Sequence, residues 1–113
     1  MGDISAHFNR SEFACKCGCG QDTVDAALIQ KLEVVRLRFN KPITITSGNR
    51  CVEYNKQIGG APASQHLLGR AADIVVKGVS PSEVYKHLDS LEGGLGGYDS
   101  FTHVDSRHGK VRW

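Results

Sequence analysis

The stretch Ser64-Gln65-His66-Leu67-Leu68-Gly69-Arg70-Ala71-Ala72-Asp73 restricts the fold more than any other part of the chain. It places an imidazole and a carboxylate, both metal-ligand types, at either end of a turn-to-strand transition. Gly69 permits a tight bend that a residue with a Cβ would resist. Ala71 and Ala72 leave room for close packing as the chain straightens into Ile74-Val75-Val76. A metal centre built on His66 and Asp73 needs a third ligand, and Phe101-Thr102-His103-Val104-Asp105 offers one. Its alternation of polar and apolar residues predicts a half-buried strand with His103 on one face. His66, Asp73 and His103 together would hold one zinc ion with a fourth position open to water, as catalytic rather than structural zinc sites do.

The elements on either side follow from periodicity and punctuation. From Asp22 or Thr23 as N-cap, Val24, Leu28, Leu32, Val35 and Phe39 recur at helical spacing, which predicts the main core helix. Asn40-Lys41-Pro42 ends it, and Ile43-Thr44-Ile45-Thr46 alternates as a strand. Val52 to Ile58 reads as a short helix closed by Gly59-Gly60. Ser80-Pro81-Ser82-Glu83 opens a second helix whose buried stripe is Val84, Leu88 and Leu91. Gly93-Gly94-Leu95-Gly96-Gly97 reads as a flexible turn. Tyr98 to Asp105 and Lys110 to Trp113 then read as two strands joined in a hairpin through Arg107-His108-Gly109. Strands and helices mix without βαβ alternation, which predicts an α+β fold: a small antiparallel sheet, helices packed on one face, and the zinc site on the open side.

The length of 113 residues fits a single domain spanning 1–113 with one modest core, residues 1–21 forming an irregular arm laid over it by Phe8 and Phe13. A net charge of +2, without any block of like charges, argues against nucleic-acid binding. No apolar run approaches membrane-spanning length, so no membrane insertion is expected. Met1 to His7 show neither a basic n-region nor an apolar h-region, which predicts a chain that is cytoplasmic as synthesised. Cys15, Cys17 and Cys19 alternate along Cys15-Lys16-Cys17-Gly18-Cys19-Gly20, with Cys51 as the remaining cysteine. Three readings stay open for them: a second, structural metal site, a disulfide between Cys51 and one of the three, or free loop thiols, which the cytoplasmic expectation favours. A nucleic-acid-binding cysteine module would need a basic, aromatic surface that the sequence lacks.

The pattern Ser-x-His-x-x-Gly-x-Ala-x-Asp followed by a strand histidine resembles the zinc D-alanyl-D-alanine carboxypeptidases, peptidase family M15. Ser47-Gly48-Asn49-Arg50, the Asn55 to Gly60 stretch, the glycine-rich segment before Tyr98 and the closing Arg112-Trp113 look like its short single-domain members, so the resemblance covers nearly the whole chain. It implies zinc-dependent hydrolysis of a peptide bond in peptidoglycan, with the stem peptide as partner and a monomeric enzyme. It also implies that Arg50 grips a substrate carboxylate or polarises the scissile carbonyl, for which a planar fork of donors is suited. Ser64 and Gln65, just before the first ligand, would bind substrate or orient His66.

One departure stands out. Relatives carry a general-base Glu three residues before the last zinc histidine, and Ser100 occupies that position here. Asp105, two residues past His103 and on the same strand face, is the preferred replacement, and Asp99 the second candidate. The same departure supports an alternative, a zinc-containing module that binds without cutting, as the hedgehog signalling domain does on a similar fold. Without a leader, a wall-acting peptidase fits a phage or prophage lysin that reaches the wall after release.

Overall fold

The computed structural model describes residues 2–113; Met1, the first residue of the expected arm, lies outside them. Five strands form one sheet in the order β1-β2-β4-β3-β5, with β1 at Ile43–Ser47, β2 at Ala71–Val76, β3 at Gly93–Gly97, β4 at Thr102–Asp105 and β5 at Lys110–Arg112. Three helices accompany it: α1 (Ala26–Phe39), α2 (Val52–Gln57) and α3 (Pro81–Leu88). All pairings are antiparallel except β3 with β5, which is parallel. This is the expected α+β fold.

Strand alternation sorts the sheet into two faces. Ile43, Ile45, Ala72, Ile74, Val76, Leu95 and Val104 are buried in one core with Leu28, Ile29, Leu32 and Val35 of α1 and Val84 and Leu88 of α3. Asp73, His103 and Asp105 occupy the intervening positions and so point to the opposite face. Phe8 and Phe13 are fully buried in the same core, with edge-to-face rings 6.1 Å apart. The arm that carries them is also tied down by Glu33 of α1, which accepts hydrogen bonds from Ser5 Oγ and the His7 main chain.

The boundary signals read from sequence mostly act as chemistry requires. Asn40 ends α1 in the left-handed region at φ 52°. Ser80 caps α3, its Oγ accepting from Glu83 N, with Pro81 at the first helical position. The start of α1 is a correction: Asp25, not Asp22 or Thr23, is the N-cap. Thr23 N is instead held by Asn49 Oδ1 at 2.9 Å, which keeps that segment extended.

The glycine-rich segment is the larger correction. Gly93–Gly97 is a buried strand at the middle of the C-terminal half of the sheet, and β5 pairs with it rather than with β4. The glycines serve close approach, not flexibility. A Cβ on Gly94 would stand 2.2 Å from Asp105 Oδ2, and one on Gly96 2.5 Å from the Trp113 indole nitrogen. A strand without side chains lets a carboxylate and an indole lie against its backbone, and that absence of side chains also hides it from hydrophobic-pattern reading.

Candidate active site and metal centre

Each expected ligand is delivered by a different local device, all of them legible in chemical terms. His66 rides on a 3-10 turn, Gln65–Leu68, whose second main-chain donor, His66 N, is satisfied by Ser64 Oγ at 3.2 Å. Gly69 closes the turn at φ 70°, where a Cβ would also collide with the Thr23 carbonyl at 2.5 Å. Asp73 on β2 and His103 on β4 are direct cross-strand partners, which places both side chains on the same face at the same level of the sheet.

The three converge. His66 Nε2 and His103 Nδ1 each lie 3.2 Å from Asp73 Oδ1, and all three residues are buried. The outer nitrogens are already committed. His66 Nδ1 is 2.7 Å from the Gly48 carbonyl and His103 Nε2 is 2.8 Å from Asp105 Oδ2. Both acceptors lack a proton to give, so the outer nitrogens are the hydrogen-bearing ones, and the inner nitrogens, which meet Asp73 Oδ1, are the positions that would turn to a metal. Two imidazoles and a carboxylate aimed at one point are a donor set that fits zinc. Ligands about 2.0–2.1 Å from a tetrahedral ion are about 3.3 Å from one another, close to the spacing seen.

Electrostatics favours an ionised Asp73, and, against the opposing effect of burial, the Asp105 and Asp73 carboxylates raise the His103 pKa. Burial alone would raise the Asp73 pKa, but hydrogen bonds from His103 and His66 more than offset it, and the carboxyl is lowered to about 2. Burial likewise opposes ionisation of Asp105. Contacts with His103, Arg107 and the Gly94 and Arg107 main-chain N–H groups outweigh it and hold the group well below the usual carboxylate range.

Arg50 is not a surface arginine. Its side chain is 12% exposed and reaches Asp73 Oδ2 at 3.3 Å, Asn55 Oδ1 at 3.2 Å and Ser47 Oγ at 3.1 Å. The Arg50 main-chain N–H donates to His66 O, so the strand-end segment and the ligand turn are locked together. Arg50, Ser64, Gln65 and the three convergent residues line one cavity of about 520 Å³, within the range of small-ligand sites. Gln65 Oε1 is buried there without a hydrogen-bond partner among the described residues.

The two acidic candidates for a proton acceptor are placed elsewhere. Asp105 has no exposed surface, and its oxygens accept from His103, from Gly94 N at 2.8 Å, and from Arg107 N, Nε and NH2 at 2.7–3.1 Å. It stands behind the His103 ring, on the side away from Asp73. Asp105 shares the strand face of His103 as expected, and its oxygens are occupied by His103, Gly94 of neighbouring β3 and Arg107. Asp99 is exposed and lines a different cavity with Pro81, Tyr85 and Trp113.

Sequence reasoning passed over the aromatic wall. Trp113 lies tilted over His103 with ring centroids 4.8 Å apart, Arg107 sits 5.3 Å above the indole, and Tyr98 stacks on Phe101 at 4.4 Å. The closing Arg112-Trp113 pair was the available signal. What could not be read was that β5 runs beside β3 and so returns Trp113 to the site.

Residues 6–105 match the family model for Peptidase M15. The chain belongs to peptidase family M15. It is similar to the peptidoglycan L,D-endopeptidase MepK of Escherichia coli (strain K12), 30% identical over 94 residues that cover 74% of this chain and 52% of that protein. It is also similar to the zinc D-Ala-D-Ala carboxypeptidase of Streptomyces albus G, 31% identical over 87 residues, 71% of this chain and 34% of that one. This M15 chain thus spans about half the length of the first relative and a third of the second. Among the described residues no helix is long and apolar enough to cross a membrane.

Proposed function

We propose that the chain hydrolyses a peptide bond in the peptidoglycan stem with zinc held by His66, Asp73 and His103. The observation that carries this reading is the convergence of three buried donors whose outer nitrogens are already bonded, on the floor of a cavity that also contains Arg50. Bound there, zinc supplies Lewis-acid polarisation of a carbonyl and acidification of water at neutral pH. The remaining work falls to the chain. Arg50 has five N–H donors; one each goes to Ser47, Asn55 and Asp73, and the two left over suit a substrate carboxylate or the scissile carbonyl. Gln65 Oε1 suits a substrate N–H, which would satisfy the buried acceptor. Ser64 acts through the turn, by fixing His66. Asp105 we assign as a positioning residue that fixes the His103 tautomer, in place of the proton acceptor expected from strand geometry.

A second reading has an observation of its own. Among the described residues lining the cavity, Asp73 is the only carboxylate, and Ser100 offers none. A metal-containing module that grips the stem peptide without cutting it fits that deficit. Digestion of purified peptidoglycan by the zinc-loaded protein, with products identified by mass spectrometry, separates the two. New stem-peptide termini are expected, and their identity assigns the bond as D-Ala-D-Ala, a cross-link or L-Ala-D-Glu. Intact peptidoglycan that nevertheless retains the protein on pull-down would replace catalysis with binding.

Arg50→Lys keeps the charge but not the fork. It is expected to lower kcat/KM by about 2–4 kcal/mol in transition-state stabilisation, as for loss of an oriented donor. Near-normal kcat/KM with a depressed Tm would show that Arg50 serves only to bind Asp73 and Asn55.

A further inference from the structure

The four cysteines take no part in the site above, and none of them lines its cavity. Cys15 follows the 3-10 turn Arg10–Phe13, Cys17 and Cys19 lie on the loop beyond it, and Cys51 is the N-cap of α2. All four are free thiols. Their Sγ atoms nevertheless gather within 4.8 Å of one another. Cys15 to Cys17 is 3.5 Å, Cys15 to Cys51 is 3.8 Å and Cys17 to Cys51 is 3.7 Å.

Two features of the backbone bring this about. In an extended chain, alternate residues stand about 6.6 Å apart along a strand, too far for three sulfurs to share an ion. Gly18 and Gly20 break the extension with φ of 83° and 88°, and Gly18 N closes a turn onto Cys15 O. Nothing crowds either glycine, so their conformation serves the curl of the loop and not a close approach. Two main-chain donors also point at sulfur: Cys51 N to Cys15 Sγ and Tyr54 N to Cys51 Sγ, each at 3.4 Å. A neutral thiol is a weak acceptor, whereas a thiolate rewards such donors.

We propose that Cys15, Cys17, Cys19 and Cys51 hold a second metal ion of the zinc type, in a closed four-thiolate site. Sulfurs about 2.3 Å from one tetrahedral ion are about 3.8 Å apart, close to the resolved separations. Four sulfur ligands leave no open coordination position, so the ion is structural. It ties the N-terminal arm to the segment that carries Arg50. Gln21, just past the cysteine loop, donates from Nε2 to Arg50 O at 3.1 Å. Phe13 O accepts from Asn49 N at 2.8 Å. The second ion would therefore set the backbone from which Arg50 reaches into the cavity.

Cobalt substitution tests this directly. The full chain is produced in zinc-depleted, cobalt-supplemented medium and purified under reducing conditions. Wild type is expected to carry two equivalents of cobalt and to show near-ultraviolet thiolate-to-cobalt charge transfer with the d–d bands of a tetrahedral site. Cys17→Ser/Cys19→Ser should lose those bands and one equivalent, while His66→Ala should keep the bands and lose the other. Only sulfur ligands give the charge-transfer band, so the result stands whether or not the His66 centre binds metal or turns over. If the cysteine variant does not fold, wild type alone decides through the band and through thiol titration, in which zinc should protect all four cysteines. Absence of the band, thiols that react equally fast with and without zinc, or an intact mass showing a disulfide would each overturn the proposal.

Discussion

His66→Ala or His103→Ala is expected to abolish both metal binding at this centre and hydrolysis. In the proposed centre each histidine provides one of three protein donors, and among the described residues the buried cluster holds no other His, Cys or acidic group to replace its inner nitrogen. With two ligands left, one imidazole and an Asp73 carboxylate that also pairs with Arg50 would hold a cation poorly. The metal contributes several kcal/mol of transition-state stabilisation, so a rate loss of at least about 10³-fold should follow. Elemental analysis after dialysis against a weak chelator is the primary measurement, read as the difference from wild type. Retention of the wild-type metal content by either variant would remove that histidine from the ligand set.

Asp105→Ala should produce the largest loss of stability of any single substitution at the site. It leaves His103 Nε2–H and Gly94 N–H without an acceptor and Arg107 without a counter-charge. Breaking a buried pair from one side costs about 3–5 kcal/mol. Arg107 is 30% exposed and can turn toward solvent, so the lower end applies. A Tm lowered by roughly 10–15 °C is the expected reading by differential scanning calorimetry. The milder Asp105→Asn keeps an acceptor for His103 but loses the charge, and should weaken metal affinity by about 10–100-fold. That outcome separates orientation from proton transfer. A proton acceptor replaced by its amide would leave metal affinity intact and lower the rate by about 10²–10⁴-fold.

The difference between these roles marks where sequence reading stops. Helices α1 and α3, strands β1 and β2, and the turn at Gly69 announce themselves because their signals are local: an apolar stripe, a cap, an alternation, a positive φ. The convergence of His66, Asp73 and His103 is nearly as legible, since two of them sit in one ten-residue stretch and the third on a strand with clear alternation. Asp105 was placed on the correct face but given the wrong neighbours. Its partners, Gly94 and Arg107, meet it only once β3 lies beside β4, and β3 is a strand of glycines with no pattern to read. The four cysteines stayed open among three readings for a similar reason, because the curl that gathers them depends on two glycine φ angles and on the return of Cys51 from beyond β1.

The cross-strand pairing of Asp73 with His103 ties two apparently separate properties together. A slip of one residue between β2 and β4 would turn one of the two side chains into the apolar core and leave the proposed centre with two of its three ligands. Those two positions are 30 residues apart in the chain, so the pairing forms late and at a cost in loop closure. With the proposed ligand set, metal uptake would act as a proofreading step for the sheet: a misregistered molecule has the same composition and much of the same secondary structure, yet would lack a complete set of donors. Ligand capture and correct threading of the chain become a single event, and the ion rewards only molecules that have already found the right alignment.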